Sequence, residues 1–282
     1  MALLGAHESV AGGLHLAFDR IRQVGGEVLQ VFTRNQRQWR PAELTGQEID
    51  LFRAAHEESG GLPVASHASY LVNLASYQEE LWEKSITNLI LELRRCRALG
   101  IPYVVLHPGA HCGEGVEAGL TRFIAGLDRA LSESGAEVQV LLETTSGQGT
   151  GLGRSFGELA YILNNSGNHQ LLGICLDTCH LFAAGYELRT AEGYEATIAA
   201  LEGTVGLAAV RFMHLNDSKK GLDSRVDRHE HIGKGAIGLA GFANLLNDRR
   251  FAGLPMAIET PKGKDLSEDR ENLSTLRSLI TK

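Results

Sequence analysis

Five histidines and four carboxylates carry the chemistry open to this chain: His67, His107, His180, His214 and His229, with Glu143, Asp177, Asp227 and Glu259. Six of them close short apolar runs. His67 follows Leu62 to Ser66, His107 follows Tyr103 to Leu106, and Glu143 follows Val138 to Leu142. Asp177 follows Leu171 to Leu176, His214 follows Ala208 to Met213, and Glu259 follows Pro255 to Ile258. A lone buried histidine is ordinarily a satisfied core residue. Six ligand-type residues at equivalent ends of six runs call for another account. Burying several carboxylates together is costly unless cations neutralise them. Imidazole with carboxylate suits zinc well, and manganese or iron less selectively.

The other three candidates lie just past run ends. Asp177-Thr178-Cys179-His180 sets a second ligand three residues after the first. In Asp227-Arg228-His229 the outer two residues share a face of an extended segment. His231 continues that alternation and is expected to be a neighbour or a surface residue. His7 is expected to hydrogen-bond beside the site. Nine ligands, one carboxylate shared, suit three divalent cations that keep positions open for water and substrate. Such a centre would attract a phosphate, which is anionic in ground and transition states alike.

These residues can converge only if the runs form one sheet with a common mouth. Two further runs, Leu3 to Ala6 closed by His7 and Val28 to Phe32 closed by Thr33, bring the total to eight. Each is short and rich in Val, Ile and Leu, the pattern of buried parallel strands. Helical stretches are expected between them: Leu14 to Val24, Gln47 to Glu57, Gln78 to Leu99, Leu120 to Leu131, Phe156 to Leu163, Ala191 to Leu201, Leu239 to Leu246 and Leu273 to Ile280. Eight strand–helix units predict a TIM (β/α)₈ barrel with its active site at the C-terminal ends of the strands. An open doubly wound sheet is the alternative. No G-x-G-x-x-G follows the first run, and Gly12-Gly13 alone is weak support for it.

At 282 residues the chain fits one barrel domain over 1–282, since such barrels run to about 250 residues. Its hydrophobic content of 43% and charged content of 22% suit a soluble enzyme. No apolar run approaches the roughly 18 residues of a membrane helix. The N-terminus lacks the basic start of a secretory signal and reads as the first strand. Cys96, Cys112, Cys175 and Cys179 form no C-x-x-C pair. Cys175 and Cys179 flank Asp177, which admits a thiolate ligand, but Cys175 reads as a small core residue. Reduced thiols place the protein in the cytoplasm. A net charge of −7 speaks against nucleic acid, yet three dications would reduce it to about −1.

Two further segments bear on partners. Arg34-Asn35-Gln36-Arg37-Gln38-Trp39-Arg40 follows the second run and is dense in hydrogen-bond donors. It is either a solvated loop or a surface that binds phosphates and enters grooves. Tyr70-Leu71, just after His67, exposes apolar side chains beside a polar mouth, as a wedge into unstacked duplex would.

At these residues the sequence resembles the endonuclease IV family of apurinic/apyrimidinic endonucleases. The matching stretches are Gly5-Ala6-His7, Phe32 to Trp39, His67-Ala68-Ser69-Tyr70-Leu71-Val72-Asn73-Leu74, His107-Pro108-Gly109-Ala110-His111 and Glu143. They continue through Gly147-Gln148-Gly149, Leu176 to His180, Ala183-Ala184-Gly185-Tyr186, Met213-His214-Leu215-Asn216-Asp217, Ser224 to His229 and Ile258-Glu259-Thr260. The likeness spans essentially the whole chain. It implies a TIM barrel with three Zn²⁺, Mn²⁺ being acceptable at one position. His67, His107 and Glu143 would hold the first metal, and Glu143 would bridge to a second held by Asp177, His214 and Glu259. His180, Asp227 and His229 would hold the third.

The resemblance further implies that Asn35, Gln36, Arg37, Tyr70 and Leu71 meet double-stranded DNA and open it at an abasic site. Flipping a nucleotide that lacks its base costs less than flipping an intact one. Glu143 and Glu259 are the expected catalytic groups, Glu259 orienting or deprotonating the water that attacks the phosphorus 5′ to the abasic sugar. The expected role is base excision repair, yielding 3′-hydroxyl and 5′-deoxyribose phosphate ends and also clearing blocked 3′ ends, by a monomer with no obligate protein partner. The chain departs from the family pattern at Ala68, Thr144 and Asp223, none of them a ligand. A metal-dependent sugar isomerase or epimerase on the same barrel is the rival reading. It would need counterparts of Glu143, Asp177, His214 and Glu259 but neither His180 nor Asp227-x-His229. A non-enzymatic zinc module fits poorly, because structural zinc sites are usually closed by four protein ligands.

Overall fold

A computed structural model describes residues 2–40 and 42–281. In chain order the strands are β1 (Leu3–Glu8), β2 (Leu29–Val31), β3 (Val64–His67), β4 (Tyr103–Leu106), β5 (Gln139–Glu143), β6 (Leu172–Asp177) and β7 (Val210–His214). A two-stranded antiparallel hairpin, β8 (Asp217–Ser218) with β9 (His229–Glu230), interrupts the passage to β10 (Pro255–Ile258). Strands β1 to β7 and β10 run parallel, and β10 closes on β1 with Gly5 opposite Ala257. The sheet is a closed barrel, so the open doubly wound alternative falls.

Helices α1 (Leu16–Gln23), α2 (Gly46–Glu58), α3 (Glu79–Leu99), α4 (Val116–Ser134), α5 (Phe156–Asn165), α6 (Thr178–Ala183), α7 (Ala191–Thr204), α8 (Gly238–Leu246) and α9 (Ser267–Ser278) surround it. Eight match the expected helical stretches. Helix α4 begins at Val116 rather than Leu120, and α9 runs from Ser267 to Ser278 rather than Leu273 to Ile280. The short α6 falls outside those stretches, because it starts within the D-T-C-H motif. The Asp177 carboxylate caps it, accepting from the His180 amide at 2.8 Å. Helix α2 starts with a capping box between Thr45 and Glu48, and α3 stops at Gly100, whose φ of +80° glycine adopts without strain.

Side chains alternate across each strand. Outward residues such as Leu4, Leu29, Val104 and Leu142 pack under the helices with Phe18, Phe52, Phe123 and Phe242. Inside the barrel, Val28, Ala65, Val105, Leu141, Cys175, Phe212 and Ala257 form a dry plug. Gly5 belongs to the same level, and it has no side chain because a Cβ there would strike the Val28 carbonyl. One pleat further along come His7, Gln30, His67, His107, Glu143, Asp177, His214 and Glu259. The period of two therefore sets a whole ring of polar groups above an apolar floor.

The second strand is shorter than the apolar run Val28 to Phe32 expected to form it. Thr33 closes the second apolar run but does not face the mouth. Strand β2 covers only Leu29–Val31, Gln30 takes the mouth position, and the buried Thr33 hydroxyl donates to Glu92 of α3 at 2.8 Å.

Candidate metal centre

The ligand atoms of His67, His107 and Glu143 lie within 4.8 Å of one another. So do those of Glu143, Asp177, His214 and Glu259, and those of His180, Asp227 and His229. Glu143 is fully buried and divides its two oxygens between groups. Its Oε2 lies 3.1 Å from His67 Nε2 and 2.8 Å from His107 Nε2, while Oε1 lies 3.0 Å from His214 Nδ1 and 3.2 Å from His180 Nδ1. On the loop side, Asp227 approaches His180 Nε2 at 3.1 Å and His229 Nε2 at 3.3 Å.

Each of four imidazoles has one ring nitrogen committed to an acceptor that has no proton of its own. His67 Nδ1 donates to the Ala68 carbonyl (2.7 Å), His180 Nδ1 to the Thr144 carbonyl (2.8 Å), His229 Nδ1 to the Glu259 carbonyl (3.2 Å), and His214 Nε2 to Gln30 Oε1 (2.8 Å). The first proton is thereby fixed on that side, and the other nitrogen faces the carboxylates, where a cation would displace its proton and take its lone pair. This is how metal-binding histidines are held. His229 Nε2 is buried, has no hydrogen-bond partner, and points into this cluster. The donor set fits divalent cations.

Electrostatics agree. Burial would raise the Glu143 carboxyl, but His107 and His214 outweigh it and hold it well below the usual range. Burial would likewise raise Asp227, and His180 and His229 depress it. Burial would lower His229, whereas the nearby Asp227 and Asp177 carboxylates lift it to about 9. Ionised acids among proton-hungry imidazoles are what cations exchange with protons to bind. Cys179 lies within ligand reach of Asp177 and His229, but burial, with Asp177, pushes its thiol up to about 12. Cys175 belongs to the plug and is raised to about 12 by burial.

Several supporting residues escaped the reading of run ends. Gln30 Nε2 donates to Glu259 Oε1 at 2.6 Å and to His7 Nδ1 at 2.9 Å, so one amide links Glu259, His7 and His214. An amide inside V-L-Q-V-F, two residues past a plug residue, was the available signal. Asn216 donates to Asp177 Oδ2 (2.7 Å) and accepts the Glu259 amide (2.7 Å). The fully buried Asp217 collects the amides of Ser218, Gly233, Gly235 and Ile237 at 2.8–3.0 Å. It thereby pins the excursion that carries Asp227 and His229. His7 stands beside Glu259 at 3.2 Å, outside every ligand group. His231 is turned away to Asn272 (3.2 Å).

The three departures from the family pattern cost this arrangement little. Ala68 and Thr144 serve the histidines through backbone carbonyls, whatever their side chains, and the Thr144 hydroxyl also accepts the Asp177 amide at 2.9 Å. Asp223 adopts φ +56°, a left-handed conformation that glycine takes freely and Asp tolerates.

The loops differ among themselves. Tyr70 is 64% exposed, with its ring 5.3 Å from that of His67 and 6.0 Å from that of His107. It overhangs a cleft also lined by Ser146, Gln148, Asp227 and Arg228. Leu71 is half-buried, and Asn35 and Arg37 are exposed. Gln36 is folded back, its Nε2 on the Arg34 carbonyl at 3.2 Å. Arg34, counted among the surface donors of its segment, is instead buried against Glu92 at 2.9 Å.

Comparison with known proteins now separates the candidates. Residues 18–279 match the family model described as "Xylose isomerase-like TIM barrel". The chain is 52% identical over 281 residues to "Probable endonuclease 4" of Chloroflexus aurantiacus, covering 99% of both, and 46% identical to that of Geotalea daltonii, covering 98% of both. The chain belongs to the endonuclease IV family. Membership makes it an endonuclease, a hydrolase that acts on DNA. The crystal structure of endonuclease IV from Thermus thermophilus superimposes with a TM-score of 0.88 at 39% identity, over 98% of each chain. A D-tagatose 3-epimerase-like protein shares the fold at a TM-score of 0.72, with 17% identity over 98% of this chain and 97% of its own. No described helix is long and apolar enough to cross a membrane.

Proposed function

We propose that this endonuclease hydrolyses the phosphodiester 5′ to an abasic site in double-stranded DNA, leaving 3′-hydroxyl and 5′-deoxyribose phosphate ends. The same centre would clear blocked 3′ ends. The observation that carries this reading is the division of Glu143 between two imidazole sets, with a third ligand group, His180, Asp227 and His229, alongside. The three groups suit three Zn²⁺, with Mn²⁺ acceptable at one position. Bound there, divalent cations polarise a phosphodiester and acidify the attacking water.

The chain's own residues do the rest. Glu259 takes the proton of that water, its Oε1 held in place by Gln30. Asn35 and Arg37 track the phosphates of the damaged duplex, and Gln36 braces their loop from within. Tyr70 and Leu71 fill the gap left by the missing base, which is the cheapest point at which to open the stack. The protein acts as a monomer in the cytoplasm, where its four free thiols stay reduced.

The test is to incubate the purified protein with an abasic oligonucleotide and with ketoses, and to count metals by elemental mass spectrometry. Incision 5′ to the lesion with close to three metals per chain is expected. Ketose turnover without incision, or full activity with one metal per chain, would overturn the reading.

A further inference from the structure

Glu92 sits mid-way along α3, away from the cleft, and is almost wholly buried. Its Oε1 accepts from the hydroxyls of Thr33 (2.8 Å) and Ser66 (2.6 Å), and its Oε2 from Arg34 Nε (2.9 Å). Ser66 directly precedes His67, and Thr33 and Arg34 open the segment that carries Asn35 and Arg37. Asn88, one turn earlier on the same face of α3, accepts from Arg34 and donates to the Trp39 carbonyl at 3.0 Å. Arg95 holds the Thr33 carbonyl at 2.5 Å and the Ala42 carbonyl at 2.9 Å. One helix face thus grips residues 33–34 at one end of the loop and 39 and 42 at the other. Asn35 and Arg37 stay exposed between these grips. The Gln36 carbonyl accepts from the Ser69 hydroxyl at 3.1 Å, which ties this loop to the one carrying Tyr70.

We propose that Glu92 is a positioning residue for DNA binding: it registers the Asn35–Arg37 loop and the Tyr70 loop against each other before the duplex arrives. The inference rests on the abasic-site reading above. A buried ion pair is often no better for stability than a well-packed apolar pair, because desolvating both charges offsets their attraction. What it adds here is direction. Only a carboxylate can accept from Thr33, Ser66 and Arg34 at once, and loops already ordered lose less entropy when they bind.

The experiment uses the metal-loaded, full-length protein with Glu92→Gln. Where that variant fails to fold, Arg34→Met with Glu92→Met replaces it, since the pair then leaves no unpaired charge buried. Three quantities are read: KM for an abasic duplex, kcat on bis-p-nitrophenyl phosphate, and metals per chain. We expect KM to rise at least tenfold, with kcat on the small diester within twofold and metal content unchanged. Asn88→Ala should show the same split at about threefold. Equal losses on both substrates would reduce Glu92 to an ordinary core residue and overturn the proposal, as would an unchanged KM in a folded variant. Wild-type protein that incises abasic and intact duplexes alike would sink the abasic-site reading, and the proposal with it. Wild type that incises only the abasic duplex, beside a folded variant with the same KM, would sink the proposal alone.

Discussion

At the barrel mouth, His67, Glu143, Asp177 and His214 are almost wholly buried, each on a strand and each hydrogen-bonded to a fixed neighbour. Beside them, Tyr70 and Arg37 stand exposed on loops that are tied at their ends and to each other through Ser69 and Gln36. Among the described residues, no hydrogen-bond partner holds the tips of these exposed side chains. The first region has its geometry set before anything binds. In the second, the ends are set and the tips are left to meet a partner. Chemistry on phosphorus tolerates little misplacement, whereas gripping a deformable duplex benefits from adaptable contacts. Variants in the two regions should therefore fail in different ways, rate and metal in one, DNA affinity in the other.

The largest effect is expected from Glu259→Gln. The amide keeps the shape and one oxygen ligand but cannot take a proton, so turnover on abasic DNA should fall by about 10²–10⁴-fold. Metal count and abasic-duplex Kd should stay near wild type. A retained rate would remove Glu259 from the chemistry, and a lost metal would make it a ligand first.

Gln30→Leu comes next and probes the rigid region through a residue that touches no proposed cation. Leucine fills the space but leaves Glu259 Oε1 and the His214 Nε2 proton without the partner that orients them. Outer partners of metal ligands are typically worth about 10–100-fold in metal affinity or activity. Chelator competition should show a loss of that size, with Kd for DNA little changed. Unchanged metal affinity would mean that the strands alone suffice.

These two variants also mark how far the sequence could be read. The run-end residues were legible because a parallel strand two residues past the plug must offer its next side chain to the mouth, and seven of the eight runs ended in His, Asp or Glu. Gln30 was not, because its strand spans three residues and the apolar run continues past the mouth to Phe32. Arg34 read as a surface donor because nothing local reveals its partner, which lies 58 residues away on α3. Likewise, Asp217 sits beside His214 in the chain and resembles a ligand, yet its carboxylate is spent on backbone amides more than a dozen residues on.

Tyr70→Ala tests the adaptable region. Stacking of an aromatic on a base is worth about 1–3 kcal/mol, so abasic-duplex affinity should fall by roughly 5- to 150-fold. Hydrolysis of a small phosphodiester should hold, because Tyr70 overhangs the cleft without supplying a ligand. Equal losses on both substrates would count against a wedge and for a role inside the centre.

His231→Ala should do the least, and it sharpens the contrast most. Asp227, His229 and His231 alternate in sequence, so spacing alone treats the third as the equal of the second. The fold does not. Strand β9 covers only His229 and Glu230, and beyond it the chain turns until the His231 ring meets Asn272 on α9. Asn272 retains its bonds to the Ile232 amide (3.0 Å) and the Thr260 hydroxyl (2.9 Å) without that ring. Metal content and abasic-DNA turnover should stay within about twofold, the range of an ordinary half-buried substitution. A loss of one metal would mean that the hairpin rearranges on loading, and the mouth would then be less rigid than its strands suggest.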